Sequence, residues 1–233
     1  MILRTLYTAV EVQTQVERLA EEIARDHAAD LSRLLGSPAG SQEPPRGKRP
    51  ARGRASGKSS SRRAAPARAG SLSLPSTIGT RPGSRIEVAP SLSLERPILI
   101  GILKGTFIFL ADLARAMKIP TDVDFMRARV GGDEPSHSMA EFDYEPHHSL
   151  ADRSVIVMED VAGTGRTLRA VLARLAAHQP RSLRACALVR RRGYSGPPVD
   201  YVGFDVGPGW LVGYGLDDRE AYRNIPGLCV LED

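Results

Sequence analysis

Residues 154–168 read SVIVMEDVAGTGRTL. Ser154 to Met158 form a short apolar run rich in β-branched residues, which predicts a buried strand. Glu159 and Asp160 stand at its carboxyl end. A turn of small residues then opens a helix on which Leu168, Val171, Leu172, Leu175 and Ala176 recur at helical spacing. Such a turn leaves backbone N–H groups and the positive end of the helix dipole facing outward, which suits a phosphate; Thr164, Gly165, Arg166 and Thr167 would supply the contacts. Carboxylates repel phosphate, so Glu159 and Asp160 are placed instead to accept hydrogen bonds from sugar hydroxyls beside it. The pattern points to a phosphorylated sugar. A glycine turn retained for packing alone is the competing reading.

Outward from this stretch, the chain reads as an α/β protein. Thr8 and Glu11 make a capping box, and Val12, Val16, Leu19, Ala20 and Ile23 keep one helical face apolar. Further strands are predicted at 98–103, 123–128, 184–189, 200–205, 211–215 and 227–231. A helix carrying Phe107, Leu110, Leu113, Ala114 and Met117 on one side follows the first of these. Strands alternating with helices argue for a mainly parallel sheet flanked by helices, with ligands at the strand carboxyl ends.

From residue 36 to 95 periodicity vanishes and Pro, Ser, Gly, Ala and Arg dominate, a composition that cannot bury enough apolar area to offset chain entropy. The organisation expected is therefore an N-terminal helical region (1–35), a disordered basic insertion (36–95) and a core (96–233). Of 233 residues, about 170 then remain to fold, within the usual range for one domain. Nine basic residues and no acids lie between Arg46 and Arg68, against a whole-chain charge of +5. Such an arm can make nonspecific contact with nucleic acid. No aromatic residue interleaves residues 46–68 to stack on bases, so a solvated, idle loop is the favoured reading. Neither an 18-residue apolar run nor a charged-then-apolar leader is present, so no membrane association is expected and the compartment expected is cytoplasmic. Cys186 and Cys229 stand in apolar strand-like runs and read as buried, reduced thiols.

The two acids, the turn and the helix resemble the phosphoribosyl-diphosphate motif of type I phosphoribosyltransferases. Four further stretches, in order, resemble the hypoxanthine-guanine branch of that family: PILIGILKGTFIFLADLARAM (97–117), VDFMRA (123–128), DYVGFDVGPGWLVGYGLD (200–217) and EAYRNIPGLCVL (220–231). The resemblance implies the type I phosphoribosyltransferase fold, homo-oligomeric assembly and a purine salvage reaction. A purine base would attack C1 of phosphoribosyl diphosphate, with Mg²⁺ bridging the departing diphosphate. It further implies that Lys104, Gly105 and Arg223 contact the diphosphate, that Asp217, with Glu159 and Asp160, lies near the metal, and that Arg190, Trp210 and Leu211 form the base pocket. A hard oxygen donor suits Mg²⁺, and a flat indole suits a purine face.

Three departures from that pattern stand out. Gly163 occupies the position of the aspartate that takes the N7 proton from the purine, and glycine cannot do so. Arg190 replaces a lysine that donates to the 6-oxo group, keeping the charge but adding bulk and a fork. After VDFMRA, the family's Ser-Tyr pair in the closing loop is replaced by Arg129, Val130, Gly131 and Gly132. An impaired enzyme or a non-catalytic nucleotide-binding or regulatory protein both follow from these changes. His137, His147 and His148 lack recognisable ligand spacing and read as exposed loop residues.

Deleting residues 40–90 should leave the melting temperature of the remainder nearly unchanged, and limited proteolysis should cut there first. A large drop in melting temperature on deletion would show that the stretch is part of the fold.

Overall fold

The computed structural model describes residues 2–35, 96–130 and 140–232. The insertion expected at 36–95, with its basic run, lies outside the described residues, as do Gly131, Gly132 and His137. The elements are β1 (Ile2–Tyr7), α1 (Ala9–Leu35), β2 (Ile98–Ile102), α2 (Phe107–Ala116), β3 (Asp122–Val130), β4 (Ala140–Tyr144), β5 (Ser154–Ala162), α3 (Arg166–Ala176), β6 (Ser182–Arg191), β7 (Tyr201–Val206), β8 (Trp210–Val212) and β9 (Leu228–Glu232).

The larger sheet has the order β4-β3-β2-β5-β6-β7, with every pair parallel except β4, which joins the β3 edge antiparallel. Side-chain alternation along its strands builds two cores. Leu99 of β2 and Ile156 and Met158 of β5 face α1 and α2, where Val12, Val16, Leu19, Phe109 and Leu110 cover them. Ile98 and Ile100 of β2 and Val155 and Val157 of β5 face the opposite way, under Leu168, Val171 and Leu175 of α3. Burial on both faces is why these strands read as unbroken apolar runs rather than as alternations.

The capping box forms as expected: the Thr8 N–H donates to the Glu11 carboxylate at 2.8 Å, and the Glu11 N–H donates to Thr8 Oγ1 at 3.3 Å. Cys186 and Cys229 are buried and unpaired. No described helix is long and apolar enough to cross a membrane.

Several elements differ from the expectation. Strand β5 does not end before the acids but runs through them to Ala162, because β6 continues to pair with it as far as Arg190. Phe107, expected on the buried side of α2, is 44% exposed: the helix begins at that residue, and its buried stripe passes through Phe109, Leu110 and Leu113. Strand β8 stops at Val212 instead of 215, since Gly213, Tyr214 and Gly215 take φ values of 92°, 51° and 99°, incompatible with an extended strand. Strands β1 and β4 were not anticipated. β1 completes a small antiparallel sheet, β1-β9-β8, that joins the two ends of the chain. Tyr214 of the turn after β8 donates its hydroxyl to Asp112 of α2 at 2.6 Å, tying this sheet to the larger body.

Candidate active site

Parallel pairing of β2 with β5 sets the loops after them side by side. The loop after β2 carries Lys104 and Gly105, with a cis peptide bond between Leu103 and Lys104. Gly105 lies directly against the Asp160 carboxylate, and a Cβ at position 105 would overlap that carboxylate. Gly215 in turn lies against the Gly105 carbonyl, where a Cβ would clash with backbone. Segments distant in sequence therefore converge beside Asp160, and at Gly215 a side chain fits only if backbone shifts.

The turn leading into α3 has the form expected of an anion site. Gly165 caps the helix with φ 76°, a left-handed conformation that glycine adopts without penalty, and no side chain caps the N-terminus. The first helical bond runs from the Arg169 N–H to the Gly165 carbonyl. Thr164 Oγ1 accepts only a long contact, 3.4 Å, from the Arg166 N–H, and the first turn contains no acid. Thr167 is part-buried on the same turn.

Beside this positive end, Glu159 is 8% exposed, and its Oε2 has no hydrogen-bond partner. Burial, followed by the charge on Asp160, pushes the Glu159 carboxyl up to about 8. Burial also raises Asp160, against hydrogen bonds from backbone N–H groups and the charge of Arg223. A buried acid with an idle oxygen holds polar capacity that a sugar hydroxyl or a cation could use.

The cations expected at the diphosphate are close to one another and already paired. Lys104 Nζ lies 2.8 Å from Glu220 Oε1. The Arg223 guanidinium lies 2.7 Å from Asp217 Oδ1 and 3.1 Å from Glu220 Oε2, and it also donates to the Gly215 carbonyl. Asp217 accepts from the Glu220 N–H at 2.8 Å through its other oxygen.

On the base side, Trp210 is 59% exposed and donates its indole N–H to the Asp217 carbonyl at 3.2 Å, which orients the ring beside the acidic turn. Leu211 is buried in β8, the edge strand of the small sheet, where alternate residues turn their backbone groups outward. Arg190 opposes Ala162 in the sheet register, one residue from Gly163. Its fork is engaged by Asp205 of β7, at 2.8 and 2.9 Å, so it is not the unpartnered donor that a pocket lysine would be. At Gly163 a Cβ would meet nothing within 4 Å.

Sequence reasoning missed Tyr194 and Glu220. The loop after β6 folds onto the phosphate turn, where the Tyr194 ring and Gly196 pack against Gly165, and the Tyr194 hydroxyl donates to the Pro197 carbonyl at 2.7 Å. The dense turn signal of YSGPP at 194–198 marks that loop in the sequence, though not where it folds. His147 and His148 are exposed, but they are not idle. Their backbone N–H groups and the His148 ring close on the buried Asp124 carboxylate at 2.7, 3.1 and 2.8 Å, pinning the chain after β4 to β3. Among the described residues, no group of three or more acids, histidines or cysteines could hold a metal unaided.

The phosphoribosyl transferase domain model matches residues 87–219. The hypoxanthine-guanine phosphoribosyltransferase of Mycobacterium avium is 37% identical over 158 residues, which cover 66% of this chain and 78% of that protein. The hypoxanthine phosphoribosyltransferase of Salmonella typhimurium is 35% identical over 141 residues, 58% of this chain and 79% of the relative. Among solved structures, a hypoxanthine-guanine phosphoribosyltransferase from Bacillus anthracis has a TM-score of 0.66 at 22% identity, with 98% of both chains covered. The hypoxanthine phosphoribosyltransferase of Trypanosoma cruzi, solved with the product IMP, also gives 0.66, at 23% identity, over 98% of this chain and 93% of that one. At these identities the two structures establish the shared fold.

The raised Glu159 gives the ligand-free protein a distinctive pH dependence. Folded, the acid keeps its proton to about pH 8, whereas unfolded it releases the proton near 4.5. Between those values unfolding releases a proton, so this contribution to stability is full below 4.5 and is lost as pH rises, at no more than about 1.4 kcal/mol per pH unit. Urea unfolding from about pH 5 to 8 should show a steeper decline in wild type than in Glu159→Gln. Equal slopes would contradict the burial of an uncompensated acid.

Proposed function

Because the chain belongs to the hypoxanthine-guanine phosphoribosyltransferase family, we propose that it joins hypoxanthine or guanine to phosphoribosyl diphosphate, releasing diphosphate and a purine nucleoside monophosphate. The observation that carries this reading is the placement of Glu159 and Asp160 between the uncapped N-terminus of α3 and the Lys104-Gly105 loop. The helix end takes the 5′-phosphate through backbone N–H groups of residues 164 to 167. Glu159 and Asp160 take the ribose hydroxyls, and burial keeps those contacts out of competition with water. Lys104 and Arg223 take the diphosphate, on which negative charge grows as the C1–oxygen bond breaks. The exposed face of Trp210 receives the purine, and the outward backbone of β8 at Leu211 reads its edge. Arg190, braced by Asp205, offers the remaining side of its fork to the 6-oxo group. Homo-oligomeric assembly comes with this reading.

A magnesium requirement also comes with it, and the donor set suits that ion. Mg²⁺ commonly keeps waters and takes one or two carboxylates together with substrate phosphate oxygens, so a site without three clustered protein ligands is compatible with it. Asp217 would supply a carboxylate, and the idle oxygen of Glu159, with Asp160 beside it, favours positive charge nearby. When bound, the ion neutralises charge on the departing diphosphate.

The same reading makes turnover slow. A purine nitrogen bonds C1, the electron pair of the broken bond leaves on the diphosphate, and the purine must shed a ring proton. With glycine at 163 that proton passes to solvent rather than to a carboxylate. General-base catalysis contributes ~10² to 10⁴ in rate, which corresponds to about 2.7 to 5.4 kcal/mol of barrier. Positioning and leaving-group stabilisation remain. A second reading, a nucleotide-binding or regulatory protein without turnover, is favoured by the same glycine.

Turnover of hypoxanthine, guanine and xanthine with phosphoribosyl diphosphate and Mg²⁺ separates the two. We expect weak wild-type activity on a 6-oxopurine, raised in Gly163→Asp by up to ~10² to 10⁴, with little change in nucleotide affinity. An added side chain finds open space there and no left-handed backbone to strain it. Wild-type turnover at ordinary enzyme rates would overturn the impaired reading. No gain from Gly163→Asp in a protein that binds nucleotide would put the non-catalytic reading ahead.

A further inference from the structure

We infer that Glu220 is an intramolecular competitor for the diphosphate site, a residue that lowers the affinity of Lys104 and Arg223 for anions. The inference rests on the assignment of those two cations to the diphosphate. Its carboxylate spans them, one oxygen 2.8 Å from Lys104 Nζ and the other 3.1 Å from the Arg223 guanidinium. Lys104 comes from the loop after β2, 116 residues away, so the contact bridges two segments that only the fold brings together. The cations in turn hold the Glu220 carboxyl below the usual carboxylate range, Lys104 contributing most.

The backbone shows that this placement is imposed. Arg219, Glu220 and Tyr222 all take left-handed φ values, 50°, 68° and 73°, a region that non-glycine residues occupy only when their surroundings hold them there. The Glu220 N–H is fixed on Asp217 Oδ2 at 2.8 Å, and two bridges across the turn, Asp218 to Ala221 and Gly213 to Leu216, close the segment on itself. The side chain is thereby aimed across the site, although its tip is exposed.

Two consequences follow. A ligand must displace Glu220 from both cations, and the displaced carboxylate then stays nearby as a like charge. A diphosphate, with two groups to span the same gap, can replace both contacts at once. The displacement cost is common to every anion that takes these two cations, so Glu220 lowers the affinity for orthophosphate and diphosphate alike, and the leftover like charge weighs most on the more highly charged diphosphate.

Calorimetric titration with inorganic diphosphate and with orthophosphate, in wild type and Glu220→Gln, tests this. Because exposed ion pairs are individually weak, the expected gain is modest: diphosphate should bind roughly three- to tenfold more tightly in Glu220→Gln. Orthophosphate should gain too, by no larger a factor. Nucleoside monophosphate affinity, set at the α3 end, should change less than about twofold. Unchanged or weaker diphosphate binding in a variant whose melting temperature matches wild type would overturn the inference alone. Failure of both proteins to bind diphosphate would overturn the assignment of Lys104 and Arg223, and the inference with it.

Discussion

The close approach of Gly105 to the Asp160 carboxylate is the contact on which the site depends. It exists because β2 and β5 are parallel neighbours, so that their carboxyl ends, and the loops leaving them, lie at the same edge of the sheet. It also exists because position 105 has no side chain. The turn at 213–216 closes from a third direction, with Gly215 against the Gly105 carbonyl and Tyr214 anchored on α2. A methyl group at 105 would push the Asp160 carboxylate aside and one at 215 would force backbone apart, so either would change the separation between the acids and the cations.

This packing has an electrostatic price that the ligand-free protein meets in two ways. Glu159 and Asp160 are pushed toward neutrality by burial, which removes charge rather than pairing it. Lys104 and Arg223 are instead paired within the chain, through Asp217 and Glu220. Under the proposed function, a phosphoribosyl ligand carrying a cation would reverse both arrangements at once: it would favour ionised acids and replace Asp217 and Glu220 as partners of Lys104 and Arg223.

Much of this was legible in the chain. The apolar run before Glu159 and the helical spacing from Leu168 to Leu175 gave the strand, the turn and the helix, because burial on both faces and burial on one leave different periods in sequence. Cap chemistry at Thr8 and Glu11 was local and therefore readable. What could not be read depended on pairing across the chain. Strand β1 is largely exposed, and it becomes a strand because β9 lies beside it, from Ile2 opposite Glu232 onward. The extension of β5 through its acids is dictated by β6. Tyr194 and Glu220 entered the site through turns whose composition was visible but whose direction was not, and the pairing of Arg190 with Asp205 required knowing that β6 and β7 are neighbours.

Direct binding tests, before any question of turnover, whether the turn from Glu159 to Thr167 is a site for a sugar phosphate. Calorimetric titration of the full chain with inosine monophosphate should show saturable binding, and Asp160→Asn, which keeps size but removes a carboxylate acceptor for ribose hydroxyls, should weaken it. No binding at millimolar nucleotide would contradict both the enzymatic and the non-catalytic reading, and would return the glycine turn to a role in packing alone.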